Sequence, residues 1–263
     1  MKIDYRINAV KSYINWDYFF YAWGMHNKPD EEKQKLHEEA EALLVKYRKQ
    51  YQTHAVFRLL DANSDGDDIM AGGVRLPFLR QQQGAPCLCL SDFVRPKSSG
   101  LPDKIGVFAT SVDMGMETDF DGDPYMKMMM QLLADRLAEA TAERLHREVR
   151  RTYWGYAPDE HLTMRELHAE HFQGIRPAVG YPSLPDTSLN FVLDELLDMK
   201  QIGIRMTESG AMKPHASVSG LMLAHPQARY FTLGKIGEDQ LVDYARRRGL
   251  PVEAVRKFLA ANM

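Results

Sequence analysis

RPAVGYP, residues 176–182, lies between two segments with helical sequence patterns and is therefore a loop, here called the arginine loop. Its two prolines fix the backbone angle φ, and Gly180 allows conformations closed to other residues, so the loop is stiff. Arg176 contributes a planar guanidinium that fits a carboxylate, and Tyr181 offers an aromatic face. These features favour a site for a small ligand with an acidic end and a flat end. A surface turn with an exposed arginine is the alternative interpretation of this motif alone.

The chain has 263 residues and a formal net charge of -3, with 44% apolar and 26% charged residues. These values are typical of a globular protein with one large domain or two small ones, and no linker divides the chain. The net charge does not indicate a nucleic-acid or anionic-membrane partner. No apolar run reaches about 18 residues, and the N-terminus lacks the apolar core of a signal peptide. With only two cysteines, the cytoplasm is the expected compartment.

Residues 124–151 predict the longest helix of the chain, because apolar positions from Met126 to Val149 recur at helical spacing. Asp123 and Pro124 suit its N-cap and first turn. The opposite face is polar and comprises Arg136, Glu139, Glu143, His146, Arg147 and Arg150. These charges can pair at i,i+3 and i,i+4 spacing, which predicts a solvent-exposed face. A carboxylate of this face could instead serve a site if a loop folds over it.

Short apolar segments separated by turn signals predict strands on both sides of this helix. They cover residues 54–60, 87–94, 105–113, 204–212, 214–226 and 228–236. Further helical patterns cover residues 30–49, 186–200, 239–249 and 251–259. The strands are close in the sequence, which favours antiparallel pairing, and the last three predict a meander. We therefore expect one α+β domain over residues 1–263, beginning with an aromatic docking segment at residues 1–27.

Three clusters of possible metal ligands have simpler interpretations. Residues 61–69 (DANSDGDDI) match the start of a calcium-binding loop, but Gly72 replaces the glutamate required at its twelfth position. A tight turn between two strands is the preferred interpretation. The acids at residues 119–123 could bind a cation or simply begin the long helix. Cys87 and Cys89 alternate with apolar residues and predict a buried thiol pair, since two ligands alone are a weak case for zinc.

Common catalytic motifs are absent from the sequence. There is no GxGxxG after a strand, no GxxxxGK[ST], no HExxH and no GxSxG. The nine histidines form no metal-like cluster, and the neighbouring His168 and His171 fit the polar surface of a helix. The sequence thus predicts a protein that binds a small ligand rather than an enzyme complete in itself.

From about Asp65 to the C-terminus, the sequence resembles the activation (reactivation) domain of cobalamin-dependent methionine synthase. Two long and specific matches are YWGYAPDE at residues 153–160 and QGIRPAVGYPSLPD at residues 173–186. Shorter matches follow the family's order. They are GDDI (66–69), LRQQ (79–82), CLSDFV (89–94), KSSG (97–100), ADRLAEA (134–140), TESGAM (207–212), ASVSG (216–220) and DYARRRG (243–249). Residues 1–60 match only loosely, mainly through INWDYFF at residues 14–20.

The resemblance implies a single C-shaped α+β domain in which helices flank a curved, mainly antiparallel sheet. It implies that the domain binds S-adenosylmethionine and meets the cobalamin-binding domain when the cofactor has become inactive cob(II)alamin. An electron from a flavodoxin-type donor and the methyl group of S-adenosylmethionine then restore methylcobalamin for methionine biosynthesis. The chain would therefore be the reactivation module of a methyltransferase and not catalytic on its own.

The same resemblance implies a set of S-adenosylmethionine contacts. They are Asp67 or Asp68, Glu139, Arg176, Ala178, Gly180, Tyr181, Tyr230 and Phe231. The family commonly has two tyrosines at the last two positions, so Phe231 removes a hydroxyl, and a backbone contact there would survive. S-adenosylmethionine carries a sulfonium, an ammonium and a carboxylate, to which one arginine and two or three acids are complementary.

The chain lacks the DxHxxG motif of the cobalamin domain and the zinc-binding and folate-binding modules of the full enzyme. We therefore expect an excised or separately encoded activation domain that acts on a cobalamin-carrying partner and has no metal of its own. Phe231 and the divergent residues 1–60 also leave an alternative. In that alternative, the chain is a stand-alone docking or regulatory protein for a cobalamin-binding methyltransferase and no longer binds S-adenosylmethionine.

Overall fold

A computed structural model describes residues 1–263, and an antiparallel sheet forms its centre. The strands are β1 (Lys2–Arg6), β2 (Gln52–Asp65), β3 (Asp68–Ala71), β4 (Val74–Pro77), β5 (Asp103–Val112), β6 (Arg205–Met206), β7 (Met212–Lys213) and β8 (Ser217–Met222). The main sheet has the order β4-β3-β2-β5-β8, with β1 also paired to β2, whereas β6 pairs with β7 alone. β2 is long enough for β1 and β3 to lie along one edge of it, at opposite ends.

Nine helices surround this sheet. They are α1 (Ile7–Val10), α2 (Trp16–Ala22), α3 (Asp30–Tyr47), α4 (Gly115–Thr118), α5 (Pro124–Glu148), α6 (Met164–His168), α7 (Leu189–Leu197), α8 (Glu238–Arg248) and α9 (Val252–Phe258). α5 continues into a π-helical turn at Val149–Tyr153. Asp123 caps α5, because its carboxylate accepts from the backbone N–H groups of Tyr125 and Met126, both at 3.1 Å. None of the helices combines the length and the apolar character that crossing a bilayer requires.

Helices cover both faces of the sheet, which explains why β5 is buried along most of its length. Successive residues of a strand point to opposite faces. Phe108 lies in the core that contains α5, and Val107 lies in the core that contains α7. The Thr110 hydroxyl donates to the Ala138 carbonyl of α5 at 3.1 Å and so fixes the helix on the sheet. The expected α+β class, with helices flanking a curved antiparallel sheet, is confirmed.

The aromatic N-terminal segment packs against this framework. Ile7 and Val10 of α1 and Phe19 of α2 are fully buried in the core that contains α5. The Tyr5 hydroxyl of β1 donates to Glu148 at the end of α5, at 2.6 Å. The segment is therefore part of the folded domain, in agreement with the docking role expected from its aromatic residues.

Three strand predictions are wrong. Residues 204–212 do not form one strand, because a turn separates β6 from β7 there. Residues 87–94 form an irregular segment with one 3-10 turn at Leu90–Phe93, because the Asp92 carboxylate accepts from the backbone N–H of Cys89 (2.9 Å) and the chain turns there. Cys89 is buried, but Cys87 is partly exposed, so the two thiols do not form the predicted buried pair. Residues 228–236 have no regular secondary structure, and β8 pairs with β5 rather than with β7, so the predicted meander does not form.

The acidic segment that resembles the start of a calcium-binding loop forms the β2–β3 hairpin. Asp65 lies opposite Asp68 in the register, which leaves a two-residue turn, and Gly66 in that turn has φ 62°. The preferred interpretation of a tight turn is thus confirmed. The structure contains no group of three or more His, Cys, Asp or Glu side chains placed to hold a metal ion.

Candidate functional site

The arginine loop runs beside β8, and the edge of the sheet holds its first half. The Val179 N–H donates to the Ser219 carbonyl at 2.9 Å, and the Leu221 N–H donates to the Pro177 carbonyl at 3.0 Å. Gly220 lies between these contacts, where a Cβ atom would approach the Pro177 oxygen to 2.2 Å. A residue without a side chain is therefore needed for this close approach. The sheet adds to the stiffness that the prolines already give the loop.

The second half of the loop turns toward α5. Gly180 has φ 90°, a conformation that favours glycine, and its N–H donates to the Leu184 carbonyl at 2.8 Å. The turn presents Tyr181, whose hydroxyl donates to the Glu139 carboxylate at 2.5 Å. Burial and the charge of Glu139 raise the pKa of Tyr181. The phenol is therefore protonated at neutral pH and acts as a hydrogen-bond donor.

Arg176 lies between two glutamates of α5 and an aromatic ring of the sheet. Its Nη2 is 3.3 Å from Glu143 Oε2, and its Nη1 is 4.0 Å from Glu139 Oε2. The guanidinium carbon is 5.7 Å from the centroid of the Phe108 ring, within range of a cation–π interaction. Burial lowers the pKa of Arg176, but Glu143, Tyr230 and Glu139 outweigh this effect and raise it. The side chain, only 11% exposed, therefore keeps its charge.

The polar face of α5 is buried at two positions and half-buried at the others, so the prediction of a solvent-exposed face is wrong and the alternative of a covering segment applies. His146 and Arg150 are fully buried. Arg150 makes two hydrogen bonds to Glu160, at 2.7 and 2.8 Å, and lies 4.1 Å from the ring centroid of Phe172. Burial and the charge of Arg150 keep the pKa of His146 well below its ordinary value, so the imidazole is neutral. The residues after α5 thus supply the partners that the helix lacks within itself.

The segment after β8 reaches the arginine loop without forming a strand. The Leu233 N–H donates to the Pro182 carbonyl at 2.9 Å. The Tyr230 hydroxyl accepts from the backbone N–H of Arg176 at 2.9 Å, and burial raises the pKa of Tyr230 to about 12. Phe231 packs against the core that contains α7. The loop is therefore held from two sides, by β8 and by this segment.

A cavity of about 500 Å³ lies beside the arginine loop, α5 and the N-terminal segment. Its volume falls within the range of small-ligand sites, about 300–1,000 Å³. Six of the residues assigned to the ligand by resemblance line it: Glu139, Arg176, Ala178, Tyr181, Tyr230 and Phe231. Gly180 shapes the turn and is not among the lining residues.

The structure does not bring Asp67 and Asp68 to this cavity. Asp67 Oδ1 lies 2.8 Å from Arg80 Nε, beside the β2–β3 hairpin. Asp68 is 1% exposed and pairs with Arg75 of β4 and Arg247 of α8. These ion pairs connect the hairpin to its neighbours, and α8 to the sheet.

Several residues that line the cavity were not assigned to the site from the sequence. They are Tyr13, Asn15, Tyr18, Arg136, Glu143, His168 and Glu170. Glu143 could have been found, because it follows Glu139 by one helical turn on the same face of α5. No pattern in the sequence connects residues 13–18 with the arginine loop, because the two are far apart in the chain.

Charged groups of both signs line the cavity, with an excess of acids. Glu139, Glu143 and Glu170 accompany Arg136 and Arg176. Burial and the charge of Glu143 raise the pKa of Glu170, whose backbone also has φ 59°, a strained conformation of the kind found at functional sites. Glu143 Oε1 and Arg176 Nε are buried without a hydrogen-bond partner in the protein. Such atoms can pair with cationic and anionic groups of a ligand.

Comparisons with known proteins show the family of this chain. A family model described as "Vitamin B12 dependent methionine synthase, activation domain" matches residues 6–249, including the N-terminal region where the motif resemblance is weakest. A solved structure described as the crystal structure of the MetH reactivation domain bound to AdoHcy is 39% identical, with a TM-score of 0.94. The match covers 100% of this chain and 90% of that one. The resemblance seen in the motifs is confirmed, and the chain belongs to the activation-domain family of vitamin B12-dependent methionine synthase.

Proposed function

We propose that this chain binds S-adenosylmethionine in the cavity beside the arginine loop and supports the reductive methylation of inactive cob(II)alamin. It acts as the reactivation module of a methyltransferase and is not catalytic on its own. The cobalamin belongs to a cobalamin-binding domain, on the same or a separate chain, and a flavodoxin-type protein donates the electron. S-adenosylmethionine supplies the methyl group.

The charges around the cavity support this ligand. The carboxylates of Glu139 and Glu143 complement its sulfonium and ammonium groups, and the guanidinium of Arg176 complements its carboxylate. Because these groups are largely removed from water, their interactions with a charged ligand are stronger than at an exposed surface. The cationic ligand would also offset the repulsion among the acids. The AdoHcy bound by the related MetH domain is what S-adenosylmethionine becomes when it gives up its methyl group.

The observation that carries the proposal is the buried Arg176–Glu143 pair, in which each side chain keeps one polar atom without a partner beside a cavity of ligand size. Calorimetric titration with S-adenosylmethionine tests it. We expect Arg176→Ala to weaken binding by about 1–3 kcal/mol, the scale of a hydrogen bond to a charged group. Arg75→Ala is the control, because Arg75 lies on β4 and does not line the cavity. Absence of binding by the wild-type chain at millimolar ligand would overturn the proposal.

The alternative, a docking or regulatory protein without S-adenosylmethionine affinity, draws on Phe231, which lines the cavity without a hydroxyl. Capture of a cobalamin-binding chain by a wild-type protein that shows no binding in calorimetry would favour it. Phe231→Tyr restores the hydroxyl. If only this variant bound S-adenosylmethionine, the substitution at residue 231 would be the cause of the lost affinity.

A further inference from the structure

Residues 13–18, here called the N-terminal strap, supply part of the cavity lining although they are far from the arginine loop in the sequence. Tyr13, Asn15 and Tyr18 line the cavity. Ile14 is 2% exposed and anchors the strap in the core that contains α5. This apolar anchor attaches the strap to the core. The neighbouring Tyr13 is only half-buried and packs against the same core, so its polar contacts contribute to its orientation.

Two side chains from distant elements hold Tyr13. Arg147 of α5 donates from Nη1 to the Tyr13 hydroxyl at 2.9 Å. His168 of α6 contacts the Tyr13 carbonyl through Nε2 at 3.1 Å, and Nε2 must be the donor because a carbonyl oxygen only accepts. One contact fixes the side chain and the other fixes the backbone at the start of the strap.

Arg147 and His168 differ in their position relative to the cavity. His168 lines the cavity and could touch a ligand, whereas Arg147 is not among the lining residues. The Nε of Arg147 is buried without a partner. The hydrogen bond that the structure gives this guanidinium is the one from Nη1 to the Tyr13 hydroxyl. An effect of Arg147 on ligand binding would therefore have to act through the strap.

We infer that Arg147 is a positioning residue that holds the N-terminal strap in place as a wall of the ligand cavity, together with His168. The identity of the ligand rests on the proposed function, but the contact between Arg147 and the strap does not. A wall that is already ordered before the ligand arrives lowers the entropic cost of binding. Loss of the Arg147 contact should therefore weaken ligand binding although Arg147 does not touch the ligand.

Amide hydrogen exchange of the ligand-free protein tests the contact itself. The N–H groups of Ile14 and Asp17 are hydrogen-bonded within the strap region, to Lys11 O at 3.2 Å and to Asn15 Oδ1 at 3.1 Å. In Arg147→Met, these two amides should exchange faster than in the wild type. Unchanged exchange at both amides would overturn the inference, whatever the ligand experiment shows.

Calorimetry with S-adenosylmethionine tests the consequence. Arg147→Met and Tyr13→Phe break the same hydrogen bond from opposite sides, and each should bind roughly five- to tenfold more weakly, the scale of one net hydrogen bond. Arg147→Lys keeps a cationic donor and should recover part of the affinity. Arg144→Met is the control, because Arg144 holds the Ala9 carbonyl upstream of the strap and should change stability without changing affinity.

The outcomes separate this inference from the proposed function. Faster exchange together with the wild-type affinity in Arg147→Met would overturn the positioning role. An equal loss of affinity in Arg144→Met would also overturn it, because the effect would then be a general one of the N-terminal segment. If the wild-type chain did not bind S-adenosylmethionine, the proposed function would fail, and the exchange experiment alone would decide whether Arg147 orders the cavity wall.

Discussion

Glu139 and Asp67 are both acids that the family resemblance assigns to the ligand, but their surroundings differ. Glu139 lines the cavity and lies 4.0 Å from Arg176, whereas Asp67 is paired with Arg80 beside the β2–β3 hairpin. We expect Glu139→Gln to weaken S-adenosylmethionine binding by about 1.5–3 kcal/mol, because a charge-assisted interaction is lost. Asp67→Asn should leave the affinity unchanged. Calorimetric titration of both variants measures these affinities. Weaker binding by Asp67→Asn alone would show that the ligand lies outside this cavity.

Away from the cavity, His54 links three strands through hydrogen bonds to two acids. Its Nδ1 is 2.7 Å from Asp4 Oδ1 of β1, and its Nε2 is 3.0 Å from Asp113 Oδ1, just after β5. The hydrogen bond to Asp113 raises the pKa of His54, burial opposes this, and Asp4 raises it further. The stability that this charge contributes is fully present below the unfolded-state pKa of about 6.5. It is lost as the pH rises through the higher folded-state pKa.

We therefore expect His54→Gln to destabilise the protein more at about pH 5.5 than at about pH 9, since the wild-type imidazolium exists only at the lower pH. Burial alone would raise the pKa values of Asp4 and Asp113, but hydrogen bonds from His54 lower them, so both acids stay ionised over this range. Thermal unfolding of both proteins across this range measures the difference. A difference that grows with pH would contradict the assigned charge state.

Among the elements, α5 shows what a sequence pattern can and cannot predict. Its apolar stripe and its Asp123 cap follow from local spacing, and both appear in the structure. Whether its polar face is exposed to solvent does not follow from local spacing, because Glu160 and Phe172 belong to a later segment that covers Arg150. Only long-range packing determines whether such a face meets water or a neighbouring segment.

The segment after β8 also shows that local sequence patterns do not determine long-range packing. Tyr230 and its neighbours have the aromatic composition of a strand, yet the hydroxyl of Tyr230 and the backbone of Leu233 bond to the arginine loop instead. The composition of this segment therefore predicts a strand that the structure does not contain, and it does not indicate that the segment lies at the site. The family resemblance, by contrast, identified six of the residues that line the cavity.

The contact between β8 and the arginine loop leads to a prediction about Gly220. In Gly220→Ala, the new Cβ would lie 2.2 Å from the Pro177 oxygen and 2.9 Å from the Cα of Ala178, so backbone must move. We expect a loss of about 1–3 kcal/mol in the free energy of unfolding, the usual scale of overpacking. Ligand binding should also weaken, since Ala178 lines the cavity.

Denaturant unfolding and calorimetric titration measure the two effects of Gly220→Ala. Gly122→Ala is a matched control, because no atom lies within 4 Å of the Cβ position there and its φ is not in the left-handed region. The control should behave like the wild type in both measurements. A Gly220→Ala variant with unchanged stability and affinity would show that the loop does not depend on its close approach to β8.

For the whole molecule, the cavity exists only when regions far apart in the chain come together. The N-terminal strap, α5, the arginine loop and the segment that contains Tyr230 all contribute side chains to it. An unfolded chain has no such site, so a ligand of the cavity binds the folded state alone and must stabilise it. This dependence also explains why the cavity could not be assembled from local sequence patterns.

S-adenosylmethionine should therefore raise the unfolding temperature of the wild-type chain. At a ligand concentration about 100-fold above Kd the stabilisation is about 2.7 kcal/mol. For a domain of roughly this size, each kcal/mol shifts the unfolding temperature by about 2–4 °C, so the expected rise is about 5–10 °C. Arg176→Ala at the same ligand concentration should show a smaller rise, because its affinity is lower, and Arg75→Ala should match the wild type. An unfolding temperature that is equally raised in the wild type and in Arg176→Ala would mean that the ligand stabilises the protein from outside this cavity.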